Sequence, residues 1–278
     1  MKSLLVPVEE HTLLGPVMET AILLGHQFDS YIEGIPISPN VPAFIVAEAA
    51  IDDTSFLHPA VRRDRAQSSR LHFETFMQAR GVSQAALAST GLSFGWHGGD
   101  PVEDDSVGSY ARIFDITIVG RPSEVADHPR TATAEAALFE SGRPVLIAPP
   151  AVPRTLGGNV GIAWNRSTET ARAVALAMPL LATARQITII EIDDWGTSGP
   201  SGEDLARSLG RHGLKVATRT FPDPHRRPGG AILAAASTIE CDLLIKGAYT
   251  QSRLRQMIFG GATNHILANT TLPVLMAH

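Results

Sequence analysis

Phe114-Asp-Ile-Thr-Ile-Val-Gly-Arg-Pro122 and, 127 residues further on, Cys241-Asp-Leu-Leu-Ile-Lys-Gly-Ala-Tyr249 share one pattern: an Asp, a mostly apolar run of strand length, and a Gly in register. Two further pairs flank them. Pro144-Val-Leu-Ile-Ala-Pro149 matches Pro273-Val-Leu-Met-Ala-His278 at an offset of 129, and Ser3-Leu-Leu-Val-Pro-Val-Glu9 matches Val160-Gly-Ile-Ala-Trp-Asn-Arg166 at 157. Repetition of this kind marks a repeated structural unit, and the agreement of the two smaller offsets makes the second half a shortened copy of the first.

The surplus of about 30 residues falls between the first and fourth strands of the first half, mainly in the Pro-rich segment 38–60, which reads as a lid, an oligomer contact or a plain surface loop. Val152-Pro-Arg-Thr-Leu-Gly-Gly-Asn159 reads as the linker, giving domains at 1–152 and 153–278.

Within each half, strand-length apolar runs alternate with helix-length patterns, the signature of an α/β fold with a parallel sheet covered on both faces. Strands are expected near 3–8, 30–35, 91–96, 113–119 and 144–149, and again near 160–165, 187–192, 214–220, 242–247 and 273–277. Helices are expected near 13–26, 61–80, 129–141, 168–182, 202–211 and 231–240. Ser167, with Glu169 behind it, is an N-cap signal, and Gly213 a stop signal. The expected fold is thus two doubly wound five-stranded parallel sheets.

Composition narrows the function. With 44% apolar and 18% charged residues the 278-residue chain folds, and a net charge of -5 supplies no global field for nucleic acid or an anionic membrane. The single cysteine, Cys241, lies in an apolar run and reads as a core residue, so neither a disulfide within the chain nor a cysteine-based zinc site can form. The longest apolar stretch, 173–184, is too short to span a bilayer, and 4–8 is too short for a signal-peptide core. The expectation is a soluble protein of the cytoplasm.

No phosphate loop of the G-x-x-x-x-G-K-[ST] type, no G-x-G-x-x-G after a strand, no G-x-S-x-G and no H-E-x-x-H occurs. None of the ten His sits three or four residues from another with a carboxylate beside it, so no metal is expected. Asp104-Asp105 and Asp193-Asp194 have no acid-base partner nearby and read as solvated turn acids. Catalysis is not expected.

The informative segment is 242–267. A strand ending at Gly247 leads through a long loop to Gly260-Gly261 at the start of a helix, and ligands of open parallel sheets bind beyond such strand ends. Glycines admit a bulky anion to the backbone, and a helix start offers free N–H groups to phosphate oxygens. Ser252 and Thr263 add hydroxyls, and Arg253 and Arg255 add charge.

Gly247, Gly260-Gly261-Ala-Thr263, Leu267 and Leu272-Pro-Val-Leu-Met276 together resemble the C-terminal part of universal stress protein (UspA-type) domains, and the two-copy chain resembles tandem members of that family. The resemblance implies strand order 3-2-1-4-5 in each half, adenine-nucleotide binding and a regulatory role in stress survival. Its motif is Gly, two residues, Gly, nine residues, Gly, then Ser or Thr. Gly247 and Gly260 fit that motif, whereas Thr250 replaces the second Gly and Gly261 the closing Ser or Thr. Asn165 stands where the family holds adenine with Asp, an exchange that keeps a donor and an acceptor.

The first half departs further: Arg121-Pro122 follows Gly120, and Glu9 replaces the adenine-binding Asp. The resemblance also makes the strands at 144–148 and 273–277 sheet edges, which are expected to pair antiparallel as a pseudo-twofold dimer within one chain; a further homodimer would need another surface.

The functional expectation is ATP or a related nucleotide in the second half only, with protein partners unspecified. The alternatives are a scaffold of the same fold without ligand, or a slow ATP hydrolase.

Overall fold

A computed structural model describes residues 1–38, 59–85, 91–103, 106–123, 125, 127–248 and 261–278. The segment 39–58, which holds most of the first-half surplus, and the pair Asp104-Asp105 lie outside the described residues. The first half supplies β1 (Ser3–Val8), α1 (Leu14–Phe28), β2 (Tyr31–Ser38), α2 (Pro59–Ala79), β3 (Ser83–Gln84), β4 (Ser93–Trp96), β5 (Val102–Glu103), α3 (Ser106–Ala111), β6 (Ile116–Gly120), α4 (Thr131–Glu140) and β7 (Val145–Ala148). The second supplies β8 (Asn159–Ala163), α5 (Thr168–Leu176), α6 (Met178–Thr183), β9 (Gln186–Ile192), α7 (Gly202–Gly210), β10 (Val216–Phe221), α8 (Pro228–Thr238), β11 (Leu243–Gly247), α9 (Ala262–Asn269) and β12 (Val274–Ala277).

The α/β class and the mostly parallel sheet are as expected, but the two sheets are not separate. One twelve-stranded sheet runs β10-β9-β8-β11-β12-β7-β6-β1-β2-β4-β3, with β5 beside β2. Its halves meet where β7 and β12 pair antiparallel, Leu275 opposite Leu146 and Met276 opposite Val145. Both strands are wholly apolar and buried, so leaving either edge free would expose its ladder groups and four apolar side chains to water. Fusion removes that liability. Every other strand pair in the sheet is parallel.

Two apolar layers cover the faces. One face packs under α1, α2, α5, α6 and α7, with Leu4, Val6, Ile162, Ile245 and Leu275 contributed by both halves. The other packs under α3, α4, α8 and α9 around Val145, Ile147, Leu244, Val274 and Met276. Residues alternating along each strand feed opposite layers, as strand geometry requires. At roughly 1.5–3 kcal/mol for each fully buried large aliphatic side chain, this two-sided burial is the main stabilising contribution.

The structure corrects three local expectations. The helix read over 168–182 is two helices, because Pro179 cannot donate an N–H and starts a new segment at α6. The helix read from 231 begins at Pro228, which stands in the first turn of α8, where its missing N–H costs nothing. Helix α3 and the two-residue strands β3 and β5 carried no periodicity long enough to read. Ser167 Oγ accepts from the Thr170 N–H, as its N-cap signal implies, and Ser201 with Asp204 closes a capping box on α7. Among the described residues, no helix is long and apolar enough to cross a membrane.

Candidate functional site

The two halves carry the same device at the start of their first strands. Asp115 accepts the N–H groups of Lys2 (2.5 Å) and Ser3 (3.1 Å), and Asp242 accepts those of Gly158 (3.1 Å) and Asn159 (2.8 Å). Burial pushes the Asp115 carboxyl up, but the Lys2 and Ser3 N–H groups and nearby positive charge outweigh it and hold the acid below its ordinary range. Ladder register then fixes equivalent positions: Leu4 lies opposite Ile116 as Val160 lies opposite Leu243. Counting on along each strand, Glu9 corresponds to Asn165, Gly120 to Gly247 and Val119 to Lys246.

In the second half the winding direction reverses between β8 and β11, and the strand ends open there onto α5 and α9. Asn165 is buried just past β8. Its Oδ1 accepts from Thr170 Oγ1 (2.5 Å) and the Ser167 N–H (3.2 Å), while its backbone O accepts from the Thr197 N–H (3.0 Å). The amide therefore ties the start of α5 to the loop after β9. Gly196 completes that loop at φ 127°, a backbone state that L side chains rarely adopt. A Cβ there would also press on the Asn165 backbone O at 2.9 Å.

Gly247 lies against the first turn of α5. A Cβ on it would stand 2.6 Å from Thr170 Oγ1 and 2.7 Å from the carbonyl carbon of Glu169. Glycine is thus required for packing at this strand end, whatever binds above it. On the opposite face Lys246 runs under α9, where its Nζ donates to Thr263 Oγ1 and to the Gly247 carbonyl, both at 2.7 Å. Burial alone pushes this lysine down to about 7.

Gly261 is the N-cap of α9, with φ -66° and ψ 161°, ordinary extended backbone. Among the described residues it has no side-chain cap, and no acid stands in the first turn. Of the expected site residues the structure therefore brings together Gly247, Gly261 and Thr263 around the start of α9, with Asn165 across the strand ends. Thr250, Ser252, Arg253 and Gly260, like Arg255, lie outside the described residues.

The first half fills the same place with its own side chains. Glu9 is buried, its Oε2 accepts the Arg130 N–H at the N-cap of α4 (3.0 Å), and its Oε1 lies 3.8 Å from the Arg130 guanidinium. Pro129 closes over Gly120, where a Cβ would stand 3.1 Å from the Pro129 Cβ and overlap its Cγ. Thr12 N–H and Oγ1 both donate to the Asp127 carbonyl (3.0 and 3.2 Å), tying Asp127 to the loop after β1.

Sequence reasoning missed Lys246, whose signal was a lone cation in an otherwise apolar strand. It also missed the Arg166–Glu191 pair (3.1 Å) beside Asn165, where Arg166 has φ 68°. Asp193 and Asp194 are exposed after β9, Asp194 at φ 54°, in keeping with a turn. Cys241 is only partly buried; its Sγ donates to the Leu243 carbonyl (2.9 Å), and burial pushes the thiol up to about 11.

Residues 158–278 match the model of the Universal stress protein family. Among solved structures the chain is similar to a universal stress protein from Archaeoglobus fulgidus DSM 4304, with TM-score 0.71, 16% identity, and 99% of this chain and 95% of that one covered. It is also similar to a protein of unknown function from Pseudomonas aeruginosa PAO1, with TM-score 0.54, 13% identity, and 100% and 92% covered. Identities this low establish a shared fold. No curated protein matches the sequence.

Proposed function

We propose that residues 158–278, which match the Universal stress protein family model, bind ATP or a related adenine nucleotide and that the protein acts as a regulator, not as a catalyst. The phosphates would seat at the start of α9 beside Gly261, the base would lie toward Asn165 and the loop after β9, and Gly247, Thr250, Ser252, Arg253, Gly260 and Thr263 are the further proposed contacts. Domain 1–152 is, in this reading, a second unit of the same 3-2-1-4-5 order that has given up its ligand. Nucleotide occupancy would bias the loop and so alter contacts with protein partners, in the cytoplasm and without a metal requirement.

One observation carries the reading. At the start of α4 the chain supplies its own carboxylate, Glu9, whereas among the described residues the start of α9 has no side-chain cap and no acid in its first turn, and Lys246 lies beneath it. Helix starts favour an anion, so a site that lacks an internal one suits an external one.

The test is Gly261→Asp. The backbone at Gly261 suits any residue, and Asp is a favoured N-cap, so α9 should keep or gain about 1 kcal/mol. Calorimetric ATP affinity should nevertheless fall at least tenfold, because the new carboxylate occupies and repels. Unchanged affinity would place the nucleotide elsewhere. Absence of binding by the unmodified chain, with no nucleotide released on denaturation, would favour the scaffold reading, and turnover of added ATP would favour the hydrolase.

A further inference from the structure

Lys246 is out of place in its strand. Its neighbours across the ladder are Met276 and Ala163, both in the apolar layer under α8 and α9, and the first half places Val119 at the equivalent position. The residue is only 3% exposed. An ammonium has three N–H donors, of which two are used, by Thr263 Oγ1 and the Gly247 carbonyl. The third has no partner among the described residues, and no carboxylate there forms an ion pair with it. The titratable and charged groups carried by the adjoining elements are Glu169 at the start of α5, Arg166 after β8, Arg227 before α8, His265 on α9 and His278 after β12, and burial is what lowers the Lys246 titration.

A buried cation without a counter-charge is strongly unfavourable, and it points here at a helix start that is itself positive. We propose that Lys246 is the built-in counter-charge for a polyphosphate anion seated at Gly261–Thr263, and that binding of this anion is coupled to uptake of a proton at Lys246 Nζ. The inference deepens the nucleotide reading and rests on it for the ligand's identity, though not for its charge. In the free protein burial holds the amine near 7, so above that pH the amine is increasingly neutral. A bound anion favours the charged form, and the proton comes from solvent. Affinity therefore falls as pH rises above about 7, by up to tenfold per pH unit, until the amine of the bound state also titrates.

The experiment titrates the full chain with ATP and, separately, with inorganic tripolyphosphate between pH 6.5 and 9, in buffers of differing ionisation heat. The unmodified protein should bind both with proton uptake above pH 7. Lys246→Met fills a similar volume, should fold with an unchanged or higher unfolding midpoint, and should bind at least tenfold more weakly at pH 6.5, with a flattened pH profile. Carbon-13 NMR of labelled lysine in the unmodified chain provides a readout that does not depend on the variant folding: saturating tripolyphosphate should raise the Lys246 titration midpoint.

ATP binding that is equal in Lys246→Met, or a midpoint unmoved by tripolyphosphate, overturns the role of Lys246 and leaves the nucleotide reading standing. Lys246-dependent tripolyphosphate binding with no preference for ATP does the reverse. Binding of neither compound overturns both.

Discussion

The strand ends beyond β1 and β6 and those beyond β8 and β11 are built on one register and finished in opposite ways. In the first, a buried Glu9 receives the N-cap N–H of α4, Pro129 closes over Gly120, and Val119 fills the layer below. In the second, neutral Asn165 turns its oxygen toward α5, the first turn of α9 has no acid, and Lys246 replaces the aliphatic residue. Three exchanges distinguish the two ends: acid to amide, aliphatic to ammonium and proline lid to glycine N-cap. The ladder register is the same in both halves; the residues that differ are one in the strand, Val119 against Lys246, and the rest past its end.

The sharpest way to break this comparison is at the paired glycines. Gly247→Ala would drive a Cβ into Thr170 Oγ1 and the Glu169 backbone, atoms fixed by the first turn of α5, at a cost of about 3 kcal/mol or more. Gly120→Ala meets only side-chain atoms, those of Pro129 and the Val17 Cγ2 at 3.2 Å, and should cost less, about 1 kcal/mol. Urea unfolding midpoints read the difference. Equal costs would mean that the two strand ends are packed alike and that Gly247 is not a packing requirement.

Much of this architecture is legible in the chain. Strand positions follow from apolar runs, and the Asp115/Asp242 and Gly120/Gly247 correspondences are printed in the offset of 127 before any coordinates are known. Fusion of the sheets is a consequence of β7 and β12 being apolar throughout, with no charge or proline to blunt either edge. The site is less legible for physical reasons. Helix caps and packing requirements at Gly247 depend on what crosses the strand end from α5, a contact 77 residues away in sequence. Lys246 looks like a solvated cation until Met276, Ala163 and α9 close around it. Glu9 was visible as a departure from the nucleotide pattern, but its partner Arg130 lies 121 residues away. Glycine positions can be read along the chain; the charges that face them come from elsewhere.

The shared device at the strand starts sharpens the comparison from the other end. Asp115 accepts both N–H groups at Oδ2, whereas Asp242 accepts Gly158 at Oδ2 and Asn159 at Oδ1, so Asp115→Asn and Asp242→Asn each give up charge-assisted bonds, and Asp242→Asn also brings an amide nitrogen against a donor. Each should cost about 1–3 kcal/mol. Because only Asp242 uses both oxygens, its cost should be the larger of the two, and the double variant should be additive, the sites being separated across the sheet. A cost confined to one aspartate would show that the halves are alike in outline only.

The smallest effect is silent at neutral pH and concerns how firmly the first half is sealed. His11 Nδ1 accepts the Leu13 N–H (3.0 Å), so the neutral ring carries its proton on Nε2. Burial first, then His128 and Arg130, push the ring down to about 4, against the bond from its own loop. The sign follows from comparing states: the unfolded chain takes up a proton near 6.5 and the folded chain only near 4, so acidification through that window favours unfolding, and the contribution is complete above 6.5. His11→Asn keeps an acceptor for Leu13 but cannot titrate. Its stability at pH 7.5 should equal that of the unmodified chain within about 0.5 kcal/mol, and between pH 6.5 and 4 it should lose less, by an amount on the order of 1 kcal/mol at pH 4.5. Parallel losses in both proteins would shift the acid sensitivity to other groups and leave His11 as a turn residue alone, whereas divergence would show that the seal over the first half is kept dry enough to exclude a charge.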